Sequence, residues 1–149
     1  MPPPLSSADM EREVAAVRLA ESGKLEEALS EFKAISALYP EYAGGFNNMA
    51  QAQRLLKQNA DAMASLDSAI RLAGADKFTE RQALTQRGSL HVLAGDEDAA
   101  RRDFEAAAAL GSDIAAKEAA RLNPYARMCN AMLKEVFEKY SWSQETPSS

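Results

Sequence analysis

The chain has little of the side-chain chemistry on which most enzymes depend. Its 149 residues include one histidine, His91, and one cysteine, Cys129. One histidine excludes a site built on several imidazole ligands, and one cysteine excludes an internal disulfide. The seven glycines are dispersed, so no glycine-rich phosphate loop is present. We therefore predict no catalytic residue, no metal site, no cofactor and no enzymatic activity.

The single histidine and the single cysteine each have a structural explanation. His91 falls at a helix position that usually fills the interior of a helix hairpin, so we expect it to pack rather than react. Cys129 lies on the apolar face of the last predicted helix, where a buried thiol is inert.

Long hydrophobic runs are also missing. No apolar stretch approaches the roughly 20 residues that a membrane-spanning helix needs. The first residues have neither the basic charge nor the apolar stretch of a signal peptide, so we expect a soluble, cytoplasmic protein. Seventeen basic and 22 acidic residues give a net charge of −5, which disfavours nucleic acid and anionic membranes as partners.

What the chain does have is the composition of a helical protein. Alanine, leucine, glutamate, arginine, lysine and glutamine dominate, and β-branched residues are scarce. These abundant side chains lose little rotamer freedom in a helix. A hydrophobic content of 46% is enough for a sizeable core. The composition therefore predicts one all-α domain.

The sequence also repeats itself. Ala62, Leu66, Ala69 and Leu72 stand 34 residues after Ala28, Phe32, Ile35 and Leu38, and a third copy contains Gly95, Ala100 and Phe104. This period and pattern resemble the tetratricopeptide repeat (TPR) family over roughly residues 9 to 112. The resemblance implies a right-handed superhelix, an α-solenoid of three helix hairpins with C-terminal capping helices. Lys57 departs from the pattern because a turn glycine is expected there.

Domain boundaries follow from the repeat. We predict a single domain over residues 8–140, with repeats at about 9–42, 43–76 and 81–112 and further helices at about 112–122 and 124–140. Residues 1–7 and 141–149 are rich in proline, serine and polar groups and are predicted to be disordered. The 124–140 helix has a continuous apolar face, so we expect it to pack on the repeats and seal the end of the solenoid.

Stacked hairpins of this kind bind partners on the concave face formed by their first helices. Amide side chains are frequent there, and they can pair with the backbone of an extended peptide, while an arginine can bind a carboxylate. The alternative is an ordinary solvated face. The candidate partner-binding residues are Asn47, Asn48, Gln51, Arg54, Gln82, Thr85, Gln86 and Ser89, with Glu13 and Val17 beside them.

Two functions remain open. One is an adaptor that binds a protein or peptide in the concave groove; the other is a structural subunit or stabiliser that docks through the convex face or the C-terminal helix. The resemblance is strongest to a small three-repeat branch of the family associated with a heat-shock chaperone, which makes such a chaperone a candidate partner.

The mode of any chaperone binding is constrained by the sequence. Many TPR domains hold acidic chaperone tails with a carboxylate clamp of two lysines, two asparagines and an arginine. Here only Asn48 matches that pattern. Glu13 and Val17 replace the first lysine and first asparagine, and Gln82 and Gln86 replace the second lysine and the arginine. We therefore predict no binding of these tails through the clamp.

Overall fold

Eight α-helices make up the part of the chain that the computed structural model describes, residues 2–144. No strand occurs in that range. The helices are α1 (Ser7–Glu21), α2 (Leu25–Leu38), α3 (Ala43–Leu55), α4 (Asn59–Leu72), α5 (Lys77–Leu93), α6 (Glu97–Ala109), α7 (Asp113–Leu122) and α8 (Pro124–Gln144). The all-α prediction is confirmed.

Consecutive helices pack as hairpins, α1 with α2, α3 with α4 and α5 with α6, and each hairpin packs on the next. The turn inside each hairpin has one residue in the left-handed region, at Gly23 (φ 84°), Lys57 (φ 64°) and Gly95 (φ 81°). Lys57 therefore adopts the backbone conformation that glycine adopts in the other two hairpins. A side chain with a Cβ makes this conformation costly.

Replacing Lys57 with glycine should relieve that cost and raise the free energy of unfolding by about 0.5–1 kcal/mol, as measured by urea denaturation. The reverse change, Gly23→Ala, is the matched control. No atom lies within 4 Å of the position that its added Cβ would take, so only backbone strain acts. We expect a loss of about 1 kcal/mol there. Stability changes of the same sign in both variants would contradict this explanation.

Small residues let the paired helices approach each other. Ala16 and Ala50 are fully buried on α1 and α3, and Gly88 occupies the equivalent place on α5. A Cβ built on Gly88 would stand 2.7 Å from the ring of Phe104 on α6. The ring of Phe104 therefore packs directly on the α5 backbone, and it joins a core cluster that continues into α7 through Ala115, Ala119 and Leu122.

Helix ends differ from the predicted ones where a capping residue lies outside the predicted helix. Ser6 caps α1, with its Oγ accepting from the Asp9 N–H at 3.1 Å, so the helix begins at Ser7, inside the segment expected to be disordered. Asp76 accepts from the Thr79 N–H in the same way, so α5 begins at Lys77, ahead of the third repeat predicted at about 81–112. Residues 141–144 continue α8, and 145–149 lie outside the described residues.

The prediction that the last helix packs its apolar face on the repeats is wrong. The solenoid ends with α7, which buries three residues against α6, whereas α8 contacts mainly the end of α7. Apolar residues along α8 are exposed from Tyr125 to Tyr140. The connection through Asn123 and Pro124 directs α8 away from the core, because Asn123 is extended (φ −70°, ψ 117°) and Pro124 opens the new helix.

No helix in residues 2–144 has the length and apolar character needed to cross a membrane.

Candidate binding groove

A groove of about 320 Å³ lies between α3, α5 and the start of α7. Three successive inner helices of the solenoid supply its walls, so it belongs to the face on which we expected a partner. It is lined by Gln51, Arg54, Phe78, Arg81, Gln82, Thr85, Gln86, Ser112 and Ile114.

Four of the predicted residues form one hydrogen-bond network across α3 and α5. The Asn47 amide donates to Gln82 Oε1 at 3.0 Å and accepts from Gln86 Nε2 at 2.8 Å. Gln86 Oε1 in turn accepts from Arg54 Nη1 at 3.1 Å. Asn47 is only 4% exposed, which means that it supports the groove from beneath and does not face a partner.

Arg54 supplies the positive charge on the α3 side of the groove. Partial burial lowers the pKa of its guanidinium, but arginine remains charged at neutral pH because its ordinary pKa lies so far above 7. A guanidinium has five N–H donors, and the described residues accept a hydrogen bond from one of them, through Gln86. Arg54 can therefore still donate to a carboxylate or a backbone carbonyl that enters the groove.

The other predicted residues divide between the groove and its surroundings. Gln51 is exposed and lines both the groove and an adjoining hollow of about 140 Å³, which Asn48 and Val17 also line. Thr85 lines the groove, and its hydroxyl donates to the Arg81 carbonyl at 2.8 Å. Ser89 is not among the groove-lining residues, and its hydroxyl donates to the Thr85 carbonyl at 3.1 Å.

Sequence reasoning missed the apolar part of the groove. Phe78 and Ile114 are 59% and 71% exposed, and the Arg81 guanidinium lies 5.3 Å from the centre of the Phe78 ring. Arg81 also donates to the Leu110 carbonyl at 3.3 Å, which ties α5 to the end of α6. The sequence signal that could have revealed Phe78 is the N-cap residue Asp76. This cap starts α5 at Lys77, which makes Phe78 a helical residue on the groove side.

At the first position of the carboxylate-clamp pattern, the structure has an acidic group. Glu13 accepts a hydrogen bond from the Tyr42 hydroxyl at 3.1 Å. Burial and this carboxylate both raise the pKa of Tyr42. Because Tyr42 stays protonated, Glu13 is held as a hydrogen-bonded acceptor at the place where the clamp needs a cation.

The residues considered for chemistry lie outside the groove. His91 is partly buried, with Nε2 3.6 Å from Asp103 Oδ2, and Cys129 is partly exposed on α8. Within residues 2–144, no three histidine, cysteine, aspartate or glutamate side chains are placed to hold a metal ion.

Solved structures share this fold. The first TPR of Spaghetti (RPAP3), bound to the HSP90 peptide SRMEEVD, superimposes with a TM-score of 0.68 at 20% identity, over 76% of this chain and 89% of that one. The Yersinia enterocolitica chaperone SycD, in complex with a peptide of YopD, gives a TM-score of 0.66 at 16% identity, over 95% and 98%. The predicted resemblance to TPR proteins is thereby confirmed at the level of fold.

Curated relatives are much closer in sequence, although no protein-family model matches the chain. Tetratricopeptide repeat protein 36 of Danio rerio is 46% identical over 127 residues, 85% of this chain and 68% of the relative. The Xenopus tropicalis protein of the same name is 44% identical over 131 residues, 88% of this chain and 64% of the relative. The chain thus spans about two thirds of the length of these relatives. It belongs to the tetratricopeptide repeat protein 36 family.

Proposed function

We propose that the protein is a non-enzymatic adaptor that binds a segment of a partner protein in the groove between α3, α5 and α7. TPR folds typically mediate protein–protein interactions, and solved relatives in fold hold peptides. The observation that carries the proposal for this chain is the pairing of exposed apolar side chains, Phe78 and Ile114, with the Arg54 cation inside one groove.

The groove chemistry suits an extended segment with one apolar and one acidic side chain. Phe78 and Ile114 can take the apolar side chain, because exposed aromatic and aliphatic groups in a concave site gain most from desolvation. Arg54 can bind the carboxylate. Gln51 and Gln82 are exposed amides, and each can donate to and accept from a peptide backbone.

The partly buried hydrogen-bond network preorganises this site. Gln82 and Gln86 are held by Asn47, so their side chains need little further ordering when a partner binds, and less conformational entropy is lost.

We propose a cytoplasmic location, and a heat-shock chaperone remains one candidate partner because a relative in fold binds an HSP90 peptide.

A chaperone would have to bind without the carboxylate clamp. We expect titration calorimetry with the isolated peptide SRMEEVD to show no binding tighter than about 100 μM. Three cations of the clamp are replaced, each charge-assisted contact contributes roughly 1.5–3 kcal/mol, and Glu13 would repel the peptide. Micromolar binding that is lost in Asn48→Ala would refute this prediction, whereas binding to a chaperone that lacks its tail would agree with it.

The groove itself is tested with Phe78→Ala and the matched control Leu38→Ala. Both residues are 59% exposed, but Leu38 ends the outer helix α2 and does not line the groove. Partners are recovered by affinity purification of the intact chain and quantified by mass spectrometry. We expect Phe78→Ala to reduce the recovery of specific partners at least about tenfold, because aromatic anchors in grooves dominate binding energy. Equal recovery by Phe78→Ala and Leu38→Ala would contradict the proposal.

The alternative, a structural subunit that docks through another surface, is favoured by one observation, the exposed apolar face of α8. In that case Phe78→Ala would leave partner recovery unchanged, and substitutions on α8 would abolish it.

A further inference from the structure

We propose that the exposed apolar face of α8 is a self-association surface, on which α8 of a second copy of this chain packs. The surface is defined by Tyr125, Met128, Met132, Leu133, Val136 and Phe137, and it is called the α8 stripe below. It is separate from the groove, because none of its residues lines the space between α3, α5 and α7.

The α8 stripe is unusual for a surface helix. Each of its six residues is between 54% and 71% exposed, and they follow the three- and four-residue spacing that places them on one side of the helix. Most of the stability of an amphipathic helix comes from packing its apolar face, and the helix propensity of its sequence adds little. A helix whose apolar face lies in water therefore lacks most of that stability. The stripe therefore needs a partner surface that the other described residues of this chain do not supply.

The size of the α8 stripe matches one half of a stable interface. Six large side chains, each more than half exposed, present on the order of 700 Å² of mostly apolar surface. A standard specific interface buries about 800 Å² on each partner, and a single soluble chain rarely leaves a contiguous apolar patch of more than about 300–600 Å² in water. When the α8 stripes of two identical chains pack together, each chain contributes its stripe to the interface. This is the isologous arrangement that is most common for homodimers.

The charges on α8 are compatible with a second copy. Lys139 Nζ lies 3.3 Å from Glu135 Oε1, and Lys134 Nζ lies 3.9 Å from Glu138 Oε1. Each pair is neutral overall and lies on a single helix. Two copies can therefore approach without the repulsion that a stripe with charges of one sign along its edges would cause. A strongly basic or acidic partner is correspondingly less suited to this surface than an identical helix.

The test is the molar mass of the intact chain in solution, measured by light scattering or sedimentation over a concentration series up to about 100 μM. We expect a mass that rises to twice that of the single chain. Val136→Glu should hold the chain at the mass of a monomer, because it buries an unpaired carboxylate in the paired stripe. Ala131→Glu is the matched control: it makes the same chemical change on an exposed residue of α8 outside the stripe, and it should remain dimeric.

Folding and the proposed function are separated from this result by two further measurements. Far-ultraviolet circular dichroism should show the same melting of α1–α7 in Val136→Glu, because α8 contacts mainly the end of α7. Phe78→Ala should leave the molar mass unchanged, so the groove and the α8 stripe are tested independently. A chain that is monomeric at every concentration, or a Val136→Glu variant that stays dimeric, would overturn the self-association proposal.

Discussion

Replacing Phe104 with alanine should lower the free energy of unfolding by about 3–5 kcal/mol. Phe104 is 1% exposed, its ring packs against the α5 backbone at Gly88, and it belongs to the cluster that joins α5, α6 and α7. The loss therefore combines the transfer of an aromatic ring to water with a cavity that backbone atoms border and cannot easily fill. Urea denaturation followed by circular dichroism gives the value.

Phe78→Ala is the control for this change. It removes the same side chain from a residue that is more than half exposed, so we expect a loss below about 1 kcal/mol. If Phe104→Ala unfolds within error of Phe78→Ala, then Phe104 does not fill the core in the way described.

Replacing Arg87 with alanine should cost about 2–4 kcal/mol. Arg87 makes a two-point contact with the buried Asp103, from Nε to Oδ2 at 2.7 Å and from Nη2 to Oδ1 at 2.8 Å, and a third bond to Asp67 at 3.0 Å. The hydrogen bond to Asp103 raises the pKa of Arg87, and that to Asp67 adds to the effect. Without Arg87, the Asp103 carboxylate is left buried beside the His91 ring, whose Nε2 lies 3.6 Å from Oδ2.

Two variants separate this mechanism from a general loss of arginine. Arg102→Ala removes an exposed guanidinium from α6 and should change stability by less than about 0.5 kcal/mol. Arg87→Met combined with Asp103→Leu removes both charges and should recover most of the lost stability, since a buried ion pair can be replaced by apolar groups of similar volume. If the double variant is no more stable than Arg87→Ala, the unpaired carboxylate is not the cause.

The repeat architecture could be predicted because the same contacts recur every hairpin. Ala16, Ala50 and Gly88 are small for one reason, which is the close approach of paired helices, and all three are buried. The turn at Lys57 was not predicted in this way, because a glycine is expected there and Lys57 departs from the pattern. The structure nevertheless gives Lys57 the left-handed conformation of Gly23 and Gly95.

The groove was predicted less completely because its details depend on contacts between repeats. A helical projection places Asn47 beside Asn48 and Gln51, but hydrogen bonds from Gln82 and Gln86 on the next hairpin hold it beneath the surface. Phe78 and Ile114 reach the groove only because of where α5 and α7 begin. Such positions are set by caps and inter-helix packing, which a periodic pattern does not contain.

The apolar pattern of residues 124–140 correctly predicted a helix with one apolar face, but the prediction that this face packs on the repeats was wrong. Periodicity shows that a face favours burial and says nothing about the surface that covers it. The direction of α8 is decided by the residues that connect it to α7, and these lead it off the solenoid.

The central claim is that a partner binds in the groove between α3, α5 and α7, and site-specific photo-crosslinking tests it most directly. A photoreactive residue placed at Gln51, exposed in the groove, is compared with one at Lys33, exposed on the outer helix α2. The proposed function predicts a crosslink to the partner protein from position 51 that is lost in Phe78→Ala, and none from position 33. A crosslink from position 33 or from α8, with none from position 51, would contradict it.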